Sequence, residues 1–556
     1  MDFLKHLLMC LKQVKDMAMQ VETLVQRSGS WDEMRAQFRW PNPARYNIAE
    51  QICERWARAE PNRHALTYMD ADGGLQDFTY QNLSRLSSQL ANSMQARGVV
   101  RGDRSAVLLP QTPETILAHL AAYKLGAIAV PLFTLFGEDG LQYRLSNAGA
   151  KVVVTDHANL SKILNIRDQL PDLQHIYCID GVEADVLDFW AELDRASDHI
   201  EVADTTLTDP AFISYTSGTT GPPKGALHGH KVLLGHLPGV ETHHNFLPQK
   251  GDCMWTPADW AWLGGLTNVM MPALNFGVPL VAHRMSKFDP ERAFWLMREL
   301  NVKNTFLPPT ALKMMRQVKN VEPLNMRSVG SGGESLGTEL QDWGQQVFGV
   351  AMNEFYGQTE CNLVVGNSAE AFEPRPGSIG KPVPGHEVAI VDEDGNVLPA
   401  GEVGEIAVLR PDMSMFLGYW NNPEKTAEKF VGDWMLTGDI GRMDDDGYYH
   451  FSSRTDDVIT SAGYRIGPSE IEDCLVGHPS VLMAGVIGKP DAVRTEIVKA
   501  YIVLNGEGSE DLKAELVARV RARISPHVAP REIEFIDELP MTATGKILRR
   551  ELKNRG

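Results

Sequence analysis

Apolar and polar positions in the first third of the chain fall into a repeating order. An apolar run at Ala106 to Leu109 is followed by a helical spacing of apolar residues from Glu114 to Leu125, a second apolar run from Ala127 to Leu132, and a third from Lys151 to Thr155. Unbroken apolar runs of this length suit strands buried on both faces, and a helix between two of them is what joins parallel neighbours. The order recurs across Met270 to Ala282 and Asn304 to Met315. It predicts an α/β fold whose large N-terminal body holds parallel sheets over roughly the first 380 residues.

Beyond Gly385 the spacing shortens. Glu387 to Val391 and Gly404 to Leu409 read as short strands with an Asp394-Gly395 turn between them, which predicts a β-rich subdomain over residues 386–455. The C-terminal pattern is helix Ser469 to Leu475, strand Val481 to Ile487, strand Ile497 to Leu504, helix Ser509 to Ile524 and strand Ile533 to Ile536. A small α+β domain, 456–556, is therefore expected after an N-terminal domain, 1–455, with the boundary in the polar stretch Arg454 to Asp457. Met1 to Met19 is amphipathic, carries Lys12 and Lys15, and is followed by no small-residue cleavage site. It reads as an exposed or docked helix and not as a secretory leader.

Tyr215-Thr216-Ser217-Gly218-Thr219-Thr220-Gly221-Pro222-Pro223-Lys224-Gly225 adds chemistry to this frame, between the apolar Ala211-Phe212-Ile213 and a predicted helix. Glycines let backbone N–H groups converge on oxygens, hydroxyls add donors, and the lysine supplies a mobile charge, so the loop is suited to phosphate. Gly225 follows Lys224 where a P-loop has Ser or Thr, and the glycine spacing differs, which disfavours an ordinary P-loop kinase or ATPase. His228, His230, His236, His243 and His244 trail the loop without the spacing of a zinc site.

At 556 residues, 43% hydrophobic and 22% charged, the chain has the length of two or three domains. No run approaches the roughly 18 to 20 apolar residues of a membrane span. Cys10, Cys53, Cys178, Cys253, Cys361 and Cys474 include no CxxC pair, which argues against a disulfide framework and for a reducing, cytoplasmic setting. A formal net charge of -19 opposes a general nucleic-acid binder. From Asp457 onward, however, 14 basic residues nearly balance 15 acidic ones, so this end can meet a polyanion without strong repulsion.

The loop resembles that of the adenylate-forming (AMP-dependent synthetase and ligase) superfamily, which includes acyl-CoA synthetases, luciferases and adenylation domains of peptide synthetases. Further motifs follow in the same order: Tyr356-Gly357-Gln358-Thr359-Glu360, Thr437-Gly438-Asp439, Arg454-Thr455-Asp456-Asp457, Gly463-Tyr464-Arg465-Ile466, and Pro540-Met541-Thr542-Ala543-Thr544-Gly545-Lys546. The resemblance runs from about Asn47 to Leu552 and implies a two-step reaction with ATP, Mg2+ and coenzyme A. A carboxylate attacks the α-phosphate to give acyl-adenylate and pyrophosphate, and a thiol then displaces AMP. By the same resemblance Thr216, Ser217, Gly218, Thr219, Thr220, Lys224 and Thr359 would hold phosphates, and Glu360 the magnesium. Gly333 and Glu334 would flank adenine, Asp439 would accept the ribose hydroxyls, Arg454 would hold ribose or phosphate, and Arg465 the phosphate. Lys546 would be the catalytic lysine of adenylation. Asp456 would be the hinge on which the mobile C-terminal domain turns, bringing Gly463 and Tyr464 to a tunnel for the thiol arm. Ser453 departs from the glycine that relatives carry before the arginine.

Only about ten residues follow Lys546, with no carrier domain, so free CoA is the expected acceptor, and Arg519, Arg521, Arg523 and Arg531 are candidates to meet its phosphates. The chain resembles acetyl-CoA and medium-chain acyl-CoA synthetases, with Ala258-Asp259-Trp260-Ala261-Trp262 among the shared motifs. Relatives specific for acetate close the pocket with a tryptophan where this chain has Gly357, and present Thr and Val where it has Gly264 and Gly332. With Trp260 at the entrance and Tyr356 along the path, the pocket is expected to be open and to take a medium-chain, branched or aryl acid, each methylene recovering roughly 1 to 3 kcal/mol. The alternatives are an acetyl- or propionyl-CoA synthetase, an enzyme that passes the adenylate to oxygen or an amine, and a non-catalytic nucleotide-binding relative. A homodimer, and regulation by acetylation of Lys546, are both compatible with the sequence.

Overall fold

The apolar runs form strands and the amphipathic segments the helices that join them. In the computed structural model the described residues are 23–555 except 182, 217–221, 335, 376, 462–463, 492–493 and 543–544, and the side chains at 464 and 465 are also left aside. Met1 to Met19 thus lies outside the described residues. Strands Arg104–Leu108, Ile128–Pro131 and Ala150–Thr155 are parallel neighbours joined by helices Pro113–Leu125 and Glu138–Ala148. The first helix begins with proline, whose fixed φ suits a first turn, and stops at Gly126, whose φ of +65° an L side chain adopts with difficulty. It is buried on nearly every side, which is why its apolar residues form no single stripe.

Two mixed sheets make the body. One runs in the order 381–382, 361–366, 352–358, 328–332, 304–306, 254–255, 280–283, 64–69, 75–79, parallel through its middle and antiparallel at both edges. The other runs 418–419, 225–229, 210–215, 128–131, 104–108, 150–155, 175–178, 187–188. The largest apolar cluster lies between them and takes in Leu117, Phe212, Leu233, Trp260, Leu266, Phe306 and Phe355. The β-rich part is an antiparallel sheet built on Val388–Val391, Val403–Leu409, Trp434–Met443 and Tyr449–Arg454, with Gly395 turning at φ +83°. The C-terminal module has helices Pro468–Val476 and Glu510–Arg523 against a sheet of Val481–Asp491, Thr495–Leu504 and Glu532–Phe535, with Ile459–Ser461 and Tyr464–Ile466 at its other edge. Asp456 lies in the short turn Thr455–Asp457 between the two sheets.

One local expectation is corrected. The glycine-hydroxyl loop does not lead from strand to helix: it closes a hairpin, since Pro210–Tyr215 pairs antiparallel with Gly225–Gly229, and helix Lys231–His243 comes only afterwards. A run of five residues is too short for periodicity to reveal a strand, and the two strands, adjacent in the sheet, hold both ends of the loop side by side.

The C-terminal module sits closed on the body. Arg519 Nη2 lies 2.9 Å from Glu339 Oε1, and a Cβ on Gly545 would be 3.1 Å from Thr310 Oγ1. No helix among the described residues is long and apolar enough to cross a membrane. Cys53, Cys178, Cys253, Cys361 and Cys474 are free thiols.

Candidate active site

At the phosphate loop, the hairpin register sets Tyr215 opposite Gly225, and the Thr216 N–H donates to the Lys224 carbonyl at 2.9 Å. Tyr143 anchors the far side by donating its hydroxyl to the Pro223 carbonyl at 3.0 Å. Ser217, Gly218, Thr219 and Thr220 lie outside the described residues. Lys224 holds its ammonium 4.7 Å from the ring centre of Tyr419.

Thr359 and Glu360 form the turn between strands Met352–Gln358 and Cys361–Gly366. The Glu360 carboxylate is buried and accepts from the Tyr419 hydroxyl, while the Glu360 carbonyl accepts the Phe416 N–H at 2.8 Å. The donor set fits a magnesium ion carried by a nucleotide. One buried carboxylate with lone pairs to spare is what such an ion asks of a protein, because phosphates and water complete its shell. Among the described residues no group of three or more His, Cys, Asp and Glu is placed to hold a metal alone.

Asp439, expected at the ribose, is buried inside strand Trp434–Met443, where Thr437, Gly438 and Asp439 form a bulge fixed by hydrogen bonds. Gly438 has φ +78° and donates its N–H to Glu405 Oε1 at 2.6 Å, and Asp439 N–H donates to Thr437 Oγ1 at 3.1 Å. Arg454 pairs across the sheet, its Nε 3.6 Å from Asp439 Oδ1. Ser453 pairs opposite Ile440 beside a shift in register, since the next pair is Gly441 with Phe451. Tyr356 also donates to Asp439, at 2.6 Å. Its hydroxyl is thus tied to Asp439, whereas its sequence position suggested a place along the path of the acid.

Gly333, at φ +99°, starts the expected adenine loop, and Glu334 lies 3.7 Å from Lys313. Lys546 closes the site from the C-terminal module. Its loop folds on itself, Thr542 N–H donating to the Lys546 carbonyl at 2.8 Å and Lys546 N–H to Thr542 Oγ1 at 3.0 Å. Gly545 turns at φ +83° against Thr310, where a side chain would be both strained and crowded. Burial and then the Arg454 guanidinium lower the Lys546 pKa, against the carboxylates of Asp439, Glu334 and Glu360, which raise it. The amine thus shares one electrostatic neighbourhood with all four of those residues.

On the acid side the expectation of open space is corrected. A Cβ on Gly264 would stand 2.9 Å from the rings of both Phe306 and Trp262, one on Gly332 2.7 Å from the Phe355 carbonyl, and one on Gly357 2.4 Å from the Leu363 N. The glycines admit neighbouring rings and a close backbone approach, not a void. Trp260 is buried in the main core, 1% exposed, while its neighbour Trp262 is half-buried and lies against Gly333 as well. Trp262, Phe306 and Phe355 follow one another with ring centres 5.5 and 5.3 Å apart.

Of the residues expected near coenzyme A, Gly463 is outside the described residues. Tyr464 and Arg465 lie on strand Tyr464–Ile466, Arg465 opposite Thr460. Arg519 and Arg523 both face Glu339, at 2.9 and 3.6 Å, and are engaged with protein here. Arg521 is exposed on the same helix, and Arg531 immediately precedes strand Glu532–Phe535, its N–H donating to the Val498 carbonyl. The five histidines are buried, and four make separate bonds: His230 with the Ile48 N–H, His236 and His243 with helix carbonyls, His244 with Ser328.

Sequence reasoning missed Tyr419, Trp262, Phe306, Phe355 and Lys429. Burial lowers the Lys429 pKa while Glu360 and Asp439 raise it, so this ammonium stands near the same two carboxylates. Only the glycine-aromatic pair Gly418-Tyr419 offered a signal, and it is too short to stand out.

Comparison with known proteins agrees over almost the whole chain. The family described as AMP-binding enzyme matches residues 53–420, and the AMP-binding enzyme C-terminal domain matches residues 470–546. An acetyl-coenzyme A synthetase of Bacillus subtilis (strain 168) is 37% identical over 543 residues, 95% of this chain and 93% of that protein. The mitochondrial acyl-coenzyme A synthetase ACSM3 of Rattus norvegicus is 33% identical, covering 95% and 94%. Among solved structures, the anthranilate CoA ligase AuaEII in complex with anthranoyl-AMP superposes with a TM-score of 0.86 at 30% identity, covering 92% of this chain and 98% of that one.

Proposed function

The chain belongs to the AMP-binding enzyme family and is an AMP-forming acyl-CoA synthetase using ATP, Mg2+ and CoA, and from that premise we propose that its acid is larger than acetate: medium-chain, branched or aryl. The observation that carries the proposal is the half-buried ring of Trp262 beside Gly264 and Gly333, backed by Phe306 and Phe355, which are themselves buried in the main core. A single methyl group uses little of such an apolar wall, and each further methylene or ring edge gains contact with it. The anthranilate CoA ligase with its bound anthranoyl-AMP supports the reading, as does the similarity to ACSM3.

For the first step we assign Lys546 to the developing charge between carboxylate and α-phosphate, Asp439 to the ribose, and Lys224 to the outer phosphates. Mg2+ held through Glu360 would neutralise phosphate charge. For the second step the C-terminal module would turn about Asp456, withdrawing Lys546 and presenting Gly463 to the thiol.

The test is CoA-dependent AMP release with acetate, butyrate, octanoate and benzoate as substrates. Octanoate or benzoate should exceed acetate by at least about tenfold in kcat/KM, the yield of a few methylenes at such a wall. Acetate as the best substrate would overturn the proposal and establish the second reading, an acetyl-CoA synthetase, which the 37% identity to the Bacillus subtilis enzyme favours.

A further inference from the structure

We propose that Tyr419 is a positioning residue that ties the phosphate-loop lysine to the metal-binding carboxylate. The inference rests on the reading of Glu360 and Lys224 given above. Two groups that must act on one triphosphate come from distant parts of the chain, and Tyr419 touches both: its hydroxyl donates to Glu360 Oε1, and its ring carries the Lys224 ammonium at 4.7 Å. The tyrosine is itself fixed from three directions. Gly418 and Tyr419 pair antiparallel with Leu227 and Ala226, so the ring's strand is an extension of the phosphate hairpin. Leu417 N–H donates to the Leu227 carbonyl and Trp420 N–H to the Gly225 carbonyl, both at 2.7 Å, and Phe416 N–H donates to Glu360's own carbonyl at 2.8 Å. The Phe416 ring stands edge-on to Tyr419 with centres 5.0 Å apart, and Thr426 Oγ1 accepts the Tyr419 N–H at 2.8 Å.

The physical consequence is orientation. The phenol engages one carboxylate oxygen of Glu360 and leaves the other to face a cation. Without that bond the carboxylate could turn toward the nearby Lys429 or Arg454. The ring holds Lys224 at a set distance from the carboxylate by attraction to its face. The two contacts can be separated by mutation: Tyr419→Phe keeps the ring, the Phe416 contact and the Lys224 contact but removes the hydroxyl, whereas Tyr419→Leu removes both functions.

Mn2+ and ATP binding, measured without any acid by Mn2+ electron paramagnetic resonance and by calorimetry, reads these effects apart from turnover. With thermal melting as a check on folding, Tyr419→Phe should weaken Mn2+ in the ATP complex about tenfold, the effect of one hydrogen bond to a charged group. Its affinity for metal-free ATP should be that of the wild type. Tyr419→Leu should in addition bind metal-free ATP about two- to fivefold more weakly, from loss of the cation-π contact. A folded Tyr419→Phe that holds Mn2+ as tightly as the wild type overturns the proposal while leaving the reading of the site intact. A folded wild type that binds no Mn2+ with ATP overturns the nucleotide reading itself, and this proposal with it.

Discussion

Lys546 is the residue whose position matters most for the first step, because it belongs to one module and stands among groups of the other. A unit charge about 4 Å from its target at an effective dielectric of ~20 is worth roughly 4 kcal/mol, or about 10³ in rate. Lys546→Ala should therefore lose about three orders of magnitude in acid-dependent ATP–pyrophosphate exchange. It should still convert supplied acyl-adenylate and CoA to thioester, since that step is expected with the lysine withdrawn; wild-type exchange in the variant would remove Lys546 from the mechanism. Single residues of this kind stood out in the sequence as candidates because such chemistry needs a fixed local context, as in Gly545-Lys546 and Thr437-Gly438-Asp439. The glycines at 264, 332 and 357 were legible only as departures. What fills the space beside them, rings from Trp262, Phe306 and Phe355, depends on contacts between strands far apart in the chain, which spacing along one segment does not contain. The same limit hid Tyr419, and the bond from the Tyr356 hydroxyl to Asp439, from a sequence reading.

Among elements, those with long periods were read nearly to their ends. The helix expected at Ser509 to Ile524 is Glu510–Arg523, and the strand expected at Ile497 to Leu504 is Thr495–Leu504. The short strand Gly225–Gly229 was not read, and neither was the attachment of the segment before the first large strand. That attachment is a buried carboxylate on helix Lys231–His243: Glu241 accepts the Leu24 N–H at 2.7 Å and the Val25 N–H at 2.8 Å, one on each oxygen. Val25, Trp31, Met34 and Phe38 then pack as a small apolar cluster of their own. Glu241→Gln places an amide NH2 against one of those N–H donors and should cost about 1 to 3 kcal/mol. Burial pushes the Glu241 pKa up to about 8, against the lowering effect of the two backbone bonds. A carboxyl with a folded pKa above its unfolded value binds more protons when folded, so its contribution to stability declines as pH rises from about 4.5 to about 8. The gap in Tm between wild type and Glu241→Gln should accordingly narrow across that range. A gap that widens with pH would show that Glu241 is held as a stabilised carboxylate instead.

For the whole molecule the question is what keeps the C-terminal module in the closed arrangement that brings Lys546 to the site. Glu339, on helix Thr338–Phe348 of the body, gathers Arg519 at 2.9 Å and Arg523 at 3.6 Å from the module, and Arg316 at 3.4 Å from its own side. Arg519 is also fixed by donating to the Cys474 carbonyl at 2.7 Å. Glu339 and Arg523 are more than a third exposed, so each pair is worth about 0 to 1 kcal/mol after screening. Removing the carboxylate also leaves three guanidinium groups facing one another, which adds repulsion to lost attraction. A net change of about 1 kcal/mol shifts a two-state arrangement roughly fivefold. Glu339→Gln should therefore slow pyrophosphate exchange a few-fold while thioester formation from supplied acyl-adenylate is unchanged or faster. Raising the salt concentration should slow exchange in the wild type more than in the variant, because screening weakens a contact the variant lacks. The pair Glu339→Arg with Arg519→Glu should recover part of the exchange rate lost by Glu339→Arg alone. Equal losses in both half-reactions would mean that Glu339 supports the fold and has no part in choosing between the two arrangements.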